Sequence, residues 1–104
     1  MLRIYDVCLE MVRAVRPVAE AIALRDGDHA RQLRRSSLSV VLNVAEGCGA
    51  SKGTRRQRYR DAMGSAMETL ANVQAAEAIG YVVVDAEVVD RLDDIIRVMA
   101  KLTK

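Results

Sequence analysis

Residues 85–103 read DAEVVDRLDDIIRVMAKLT and carry the clearest helical pattern in the chain. Their apolar residues step by four, three, four and three positions from Val88 to Leu102, which places them on one side of a helix. Asp85 precedes the first turn, where its carboxylate suits the free backbone N–H groups of a helix start. The pattern predicts a helix over about 86–103 whose apolar seam is too wide for a contact with one other helix.

Three further segments have helical periodicity, and they cover about 3–24, 29–46 and 55–79. Pro17 lies inside the first of them and removes one backbone hydrogen bond, so we expect it to kink or restart that helix. The four helices are joined by short turns, which favour antiparallel neighbours. We therefore predict an all-α, antiparallel up-down-up-down four-helix bundle, with one domain over 1–104.

The turns predict where the helices begin and end. We expect Gly27 to follow the first helix and Asp28 to be the N-cap of the second. Thr54 and Gln57 have the spacing of a capping box, which predicts that the third helix begins after Thr54. Gly80 is expected to close that helix.

The composition indicates a small globular domain that associates with itself. The chain has 104 residues, 51% of them hydrophobic and 29% charged, which excludes disordered and collagen-like proteins. Phe and Trp are absent and there are 3 Tyr, so small side chains must pack the helices closely. A mean hydropathy of +0.03 is high for a domain that can bury only about 60–70% of its chain surface alone. We therefore expect further burial between copies.

The basic residues are concentrated in the middle of the chain. Residues 31–60 contain eight Arg and Lys against one acid, Glu46, and carry a net charge of +7, whereas the rest of the chain carries −5. This segment could contact a polyanion, or acidic segments could neutralise it within the fold or across a subunit interface. The candidate nucleic-acid-binding residues are Arg31, Arg34, Arg35, Lys52, Arg55, Arg56, Arg58 and Arg60.

Arginine suits phosphate because its guanidinium can donate to two oxygens at once. Tyr59 is the only aromatic residue among these cations, so the sequence offers no platform on which bases would stack. Any binding to nucleic acid should therefore be directed at the backbone and have little sequence specificity.

No pattern in the sequence indicates catalysis, a metal site or a cofactor. His29 is the only histidine, and it has no second ligand at a metal-binding spacing. Cys8 and Cys48 lack a C-x-x-C spacing, which favours reduced thiols in a cytoplasmic protein. The loop at 47–54 ends in the order Lys-Gly-Thr, whereas the lysine of a Walker loop follows the last glycine. No apolar run approaches the length of a membrane span, so we expect no membrane contact. Because the catalytic, metal and cofactor patterns are missing, we also expect a non-enzymatic protein.

Polar and small residues within the second and third helices suggest structural roles. Asn43 is flanked by apolar residues, so a hydrogen-bonded role that fixes the helix register is favoured over a binding role. Glu68 is a candidate partner for a basic residue such as Arg35. The residues assigned to this structural motif are Ser39, Asn43, Glu46, Gly47, Gly64, Ser65 and Glu68.

Two stretches resemble a known bacterial family. Residues 34–47 read RRSSLSVVLNVAEG and are similar to the R-R-A-x-x-S-I-x-x-N-I-A-E-G segment of the S23, or 23S rRNA intervening-sequence, four-helix bundle proteins. Residues 64–68, GSAME, followed by Gly80 and Tyr81, are similar to that family's G-S-x-x-E and L-G-Y stretches. The similarity extends over essentially the whole chain.

The resemblance implies a homopentameric ring. It also implies kinship with the accessory variability protein of diversity-generating retroelements, which binds nucleic acid and a reverse transcriptase. The expected partners are therefore other copies of the chain, RNA or DNA, and a reverse transcriptase or another protein. Our hypothesis is a homopentameric bundle that binds nucleic acid through residues 31–60. The alternative is a protein-interaction scaffold whose basic segment contacts an acidic surface.

Overall fold

A computed structural model describes residues 3–104, which form four α-helices. They are α1 (Arg3–Ala23), α2 (Gly27–Cys48), α3 (Lys52–Ile79) and α4 (Ala86–Leu102). The described residues contain no strand, which confirms the all-helical prediction. The molecule measures 42 × 23 × 21 Å with a radius of gyration of 13.5 Å, close to the ~13 Å expected of a single domain this long.

The start of α2 differs from its prediction. Asp26 is the N-cap: its backbone is extended, and its carboxylate accepts a hydrogen bond from the His29 N–H at 3.0 Å. The prediction that Gly27 follows the first helix and that Asp28 caps the second is therefore wrong. Aspartates flank Gly27 on both sides, and the earlier of the two forms the cap.

The start of α3 also lies earlier than predicted. The helix begins at Lys52 with Ser51 as its N-cap, so Thr54 lies inside the first turn. The Gln57 side chain donates to Asp61 at 3.0 Å instead of closing a capping box. The end of α3 agrees with its prediction, because Gly80 has a φ of +95° and donates to carbonyls of the last turn. Glycine adopts this left-handed conformation without the steric cost that a Cβ brings.

The other two helices agree more closely with the sequence. α1 runs without a break past Pro17, so the expectation of a restart there is wrong. Asp85 caps α4 as predicted, accepting from the Glu87 N–H at 3.1 Å. The predicted seam of α4 is buried from Val88 to Met99, but Leu102 is 48% exposed because the helix ends there and leaves the core.

Each helix packs against two others and thereby encloses one core. α1 and α3 each contact both α2 and α4, so α2 and α4 stand at opposite corners. The core is aliphatic apart from Tyr59, consistent with a chain that lacks Phe and Trp. Its largest fully buried side chains are Met11, Ile22, Leu33, Leu92, Ile95 and Met99.

Polar side chains link α2 to α3 in a regular order. Ser36 Oγ lies 2.9 Å from Thr69 Oγ1, and Ser39 Oγ lies 2.8 Å from Ser65 Oγ. His29 Nε2 donates to the Asn72 carbonyl at 2.9 Å. Residues later in α2 therefore meet residues earlier in α3. Because each buried hydroxyl needs a partner, the bonds fix one register between the two helices.

The two cysteines differ in exposure. Cys8 is fully buried in the core, and desolvation together with the nearby Cys48 raises the pKa of its thiol to about 12. Cys48 is half-buried, and its Sγ lies 3.8 Å from the Tyr59 hydroxyl. Thiolate is the reactive form, so burial and the raised pKa both protect Cys8.

We expect an aromatic disulfide reagent near pH 8 to modify Cys48 in the folded protein and to reach Cys8 only on unfolding. The readout is the number of thiols modified, which should be one in buffer and two in denaturant. A Cys48→Ser variant should show no modified thiol while it is folded. Equal reaction rates for both thiols in the folded protein would contradict this assignment.

The raised pKa of Cys8 also predicts a loss of stability as the pH rises from 9.0 towards about 12, because over this range the thiol ionises in the unfolded chain and stays protonated in the folded one.

Candidate nucleic-acid interface

The structure divides the eight candidate cations into two groups. Arg31, Arg34 and Arg35 lie in the first half of α2, whereas the other five lie around the start of α3. The axial distance along α2 from Arg35 to Gly47, whose carbonyl accepts from Arg55 of the second group, is about 18 Å at 1.5 Å per residue. The basic segment of the sequence is therefore not one continuous patch.

The second group lies where four helix termini meet. Arg56 Nε donates to the Thr103 carbonyl at 3.1 Å, joining the start of α3 to the end of α4. Arg55 Nε donates to the Gly47 carbonyl at 3.2 Å, joining the start of α3 to the end of α2. The first turn of α1 lines a cavity together with Lys101 of α4. We call this end of the bundle the basic end; its exposed cations are Arg3, Lys52, Arg55, Arg56, Arg60, Lys101 and Lys104.

Three of these cations were not candidates in the sequence, because Arg3, Lys101 and Lys104 lie far from residues 31–60 along the chain. The order of the helices along the chain could have predicted that these cations lie beside the start of α3. In a bundle with antiparallel neighbours, the starts of the first and third helices meet the ends of the second and fourth.

Two arginines at the start of α3 form hydrogen bonds to the ends of neighbouring helices. Arg55 also donates through Nη2 to the Ala50 carbonyl at 3.0 Å, so its guanidinium bridges the carbonyls at the end of α2. Arg56 donates to one carbonyl at the end of α4, that of Thr103. Cations are favoured at these positions because the C-terminal end of a helix carries partial negative charge. Both arginines remain exposed, and the hydrogen bonds leave their positive charge intact.

The remaining cations at the start of α3 differ in their contacts. Arg58 is half-buried and pairs with Glu46, with Nε 3.1 Å from Oε2. The side chains of Lys52 and Arg60 form no ion pair or hydrogen bond with other residues of the described 3–104 stretch. These two charges are available to a ligand without breaking a contact in the fold.

The opposite end of the bundle is rich in acids. Its turns and the adjoining helix ends contain Asp26, Asp28, Glu77, Asp85 and Glu87, together with the exposed Arg25 and Arg31. The pKa of Asp26 is lowered chiefly by the hydrogen bond from the His29 backbone N–H, so this carboxylate is charged over a wide pH range. Acids outnumber bases at this end, so the basic end is the more favourable of the two for a polyanion.

Tyr59 cannot stack on a base, although it lies among the cations. Its side chain is 3% exposed, and its ring fills the space beside Gly47. A Cβ at Gly47 would lie 2.5 Å from Tyr59 Cε1, so the glycine permits the close approach of α2 and α3. The half-buried Tyr5, in the first turn of α1, packs against the core, so no aromatic ring at the basic end is fully exposed among the described residues.

Five of the seven structural-motif residues line a groove between α2 and α3 with a volume of about 640 Å³: Ser39, Asn43, Glu46, Ser65 and Glu68. Asn43 Nδ2 donates to the Ser39 carbonyl at 3.0 Å and to its Oγ at 3.1 Å, and Ser39 in turn bonds Ser65. Arg35 and Glu68 both line the groove, but the ion pair expected between them is not formed. Gly64 meets no atom within 4 Å of an added Cβ, so its surface is open in the described chain.

Within residues 3–104, no group of three or more His, Cys, Asp or Glu side chains is arranged to hold a metal ion. None of the four helices is both long enough and apolar enough to cross a bilayer.

Comparison with known proteins gives the chain a family. Its fold is similar to the crystal structure of a protein of unknown function from the S23 ribosomal protein family of Bacteroides thetaiotaomicron, with a TM-score of 0.89 and 17% identity. The alignment covers 97% of this chain and 98% of that one, and at this identity it shows the fold alone. No curated protein matches the sequence. The profile of the 23S rRNA-intervening sequence proteins matches residues 1–104, so the chain belongs to the 23S rRNA-intervening sequence protein family.

Proposed function

We propose that the protein is a non-enzymatic, homo-oligomeric bundle that binds the phosphate backbone of RNA or DNA through its basic end. The observation that carries the proposal is the gathering of seven exposed cations from four helix termini, where they outnumber the exposed acids Asp6, Glu46 and Asp61. Membership of a family named for a 23S rRNA intervening sequence is consistent with a nucleic-acid partner.

The bundle is proposed to be up-down-up-down, with each helix antiparallel to both of its neighbours. The α2–α3 bonds support this, because later residues of α2 meet earlier residues of α3. The bond from Arg56 to Thr103 supports the same relation between α3 and α4. The ring of five is proposed from the family resemblance. Large exposed hydrophobic side chains support self-association; they include Leu38, Leu42, Met67, Ile79 and Val83.

Binding at the basic end would be electrostatic. Arg55 and Arg56 are held in place by their bonds to helix-end carbonyls, so little side-chain freedom is lost when they meet phosphate. Lys52 and Arg60 are unpaired among the described residues and add charge on flexible arms. Each phosphate contact releases condensed counterions, so affinity should fall steeply with salt and depend little on sequence.

A paired substitution tests the basic end. We expect Lys52→Gln with Arg60→Gln to weaken binding to generic duplex DNA and single-stranded RNA. On the duplex, the slope of log binding constant against log salt concentration should become shallower by about 1.8, about 0.9 for each lost contact. The measurement is fluorescence anisotropy over a salt series.

Arg13→Gln with Arg16→Gln is the matched control, because it removes two exposed positive charges from the middle of α1. This control should retain the wild-type slope. Equal losses in both double variants would show that net charge alone sets the affinity, which would contradict a role for the basic end. The absence of any binding at low salt would contradict the proposal as a whole.

The alternative function, a protein-contact surface, is favoured for the first group of cations only. Arg31, Arg34 and Arg35 lie apart from the basic end and next to Leu38 and Leu42, which are about half exposed. Apolar side chains flanked by arginine are typical of protein interfaces.

A further inference from the structure

Two arginines of the basic end are held on different sides of α3. Arg55 and Arg56 lie near the start of that helix, where consecutive side chains point about 100° apart. Arg55 donates to the Gly47 and Ala50 carbonyls, at 3.2 and 3.0 Å, where α2 ends. Arg56 donates to the Thr103 carbonyl, at 3.1 Å, where α4 ends. Each guanidinium is therefore bonded to the end of a different helix.

The spacing of the helices sets the distance between these two charges. α2 and α4 stand at opposite corners of the bundle, and α3 contacts both of them. Neighbouring helix axes lie about 8–10 Å apart, so axes at opposite corners of a square arrangement lie about 11–14 Å apart. Because Arg55 and Arg56 are bonded to the ends of these two helices and remain exposed, the basic end holds two accessible positive charges at this spacing.

The spacing matches the width of a DNA groove. The major groove of a B-form duplex is about 12 Å wide, and a phosphate backbone runs along each of its edges. A guanidinium has more N–H donors than the bonds to the carbonyls use, so each arginine retains donors for a phosphate oxygen.

We infer that the basic end lies across the major groove of a DNA duplex, with Arg55 and Arg56 on opposite strands, and that it therefore prefers duplex to single-stranded DNA. The inference rests on the proposed function and names the class of nucleic acid that the basic end takes.

The basic end is large enough to span the groove. The 28 residues of α3 extend about 42 Å at 1.5 Å per residue, which equals the longest dimension of the molecule. The helices therefore run along the long axis, and the two shorter dimensions, 23 and 21 Å, are those of the bundle end. A surface of this width covers a groove of about 12 Å together with the backbones at its edges.

A single strand fits the basic end less well. It offers two phosphates at the same distance only when it is held extended, and ordering a flexible strand costs conformational entropy. Proteins that bind single strands offset this cost by stacking the bases on aromatic side chains. Among the described residues of the basic end, Tyr59 is 3% exposed and Tyr5 packs against the core, so neither ring is placed for stacking.

A substitution that conserves charge tests the inference. Arg55→Lys with Arg56→Lys keeps both positive charges but replaces each fork of donors by a compact ammonium on a flexible stem, which cannot bridge a carbonyl and a phosphate in one fixed plane. We expect the affinity for a generic DNA duplex to fall about fivefold or more, because two flexible side chains must now be immobilised on binding. The affinity for either separated strand should change by less than about twofold, because a flexible strand adapts to either arrangement. The measurement is fluorescence anisotropy with the duplex and with each of its strands, at one salt concentration.

The matched control is Lys52→Gln with Arg60→Gln, whose side chains have no partner within residues 3–104 that fixes their position. It should weaken binding to the duplex and to the strands by similar factors, so that the preference for the duplex is kept. Circular dichroism checks that each variant is folded. The single variants Arg55→Lys and Arg56→Lys each keep one bonded arginine and should show intermediate losses of duplex preference.

The outcomes separate this inference from the proposed function. A wild-type protein that binds single strands as tightly as the duplex would overturn the inference, and so would lysine variants that keep the wild-type duplex preference. In either case, binding of phosphate at the basic end would stand. Failure to bind both the duplex and the strands at low salt would overturn the proposed function itself.

Discussion

Leu92→Ala is expected to lower the free energy of unfolding by about 2–5 kcal/mol, the range for a leucine removed from a packed core. Leu92 is fully buried in the middle of the α4 seam, where all four helices contribute to the core. The loss combines the transfer energy of the removed methyl groups with the cavity they leave. Because a domain of this size is stable by only about 5–15 kcal/mol, the variant should unfold at a much lower urea concentration.

The matched control is Leu24→Ala, which makes the same chemical change at a side chain that is 86% exposed in the turn after α1. Its effect should stay within about 0.5 kcal/mol. The two variants are compared by urea denaturation followed by far-UV circular dichroism. Equal midpoints would contradict the placement of the α4 seam in the core.

Gly47→Val is expected to cost about 3 kcal/mol, because the new side chain would occupy space that belongs to the Tyr59 ring. The Cβ alone would lie 2.5 Å and 2.8 Å from two ring carbons, and the ring is buried and cannot move outward without leaving the core. Displacement of Tyr59 would also uncover Cys48, whose sulfur lies beside the tyrosine hydroxyl. We therefore expect faster thiol modification of Cys48 in the folded variant.

Gly64→Val is the control for this substitution, since it lies inside α3 with no atom within 4 Å of an added Cβ. It should change stability by no more than about 0.5 kcal/mol, because valine exceeds glycine only slightly in helix propensity. A Gly47→Val variant as stable as Gly64→Val, with unchanged Cys48 reactivity, would contradict the close packing of α2 on α3.

The main elements of the fold could be predicted from local pattern. The 4-3-4-3 spacing in α4 located its buried seam from Val88 to Met99, and Asp85 and Gly80 acted as cap and terminator as their chemistry predicts. The predicted starts of α2 and α3 are wrong because, at each start, two nearby residues suit the N-cap position. Asp26 and Asp28 both suit an N-cap, as do Ser51 and Thr54, and local sequence does not decide between them.

The candidate site was less predictable, because its residues are gathered by tertiary structure. Arg35 and Arg55 belong to one basic segment of the sequence, but much of α2 separates them in the structure. Lys101 and Arg3 joined the basic end through the helix order alone. The capping role of Arg56 required knowledge that the end of α4 lies beside it.

The central claim is that the basic end binds phosphate, and the most direct test is the affinity of the unmodified protein for a generic DNA duplex at about 50 and 200 mM salt. If about four of the exposed cations contact phosphates, the affinity should fall about 150-fold over this range, with little change between duplex sequences. An affinity that does not change with salt, or no binding at the lower salt, would contradict the claim.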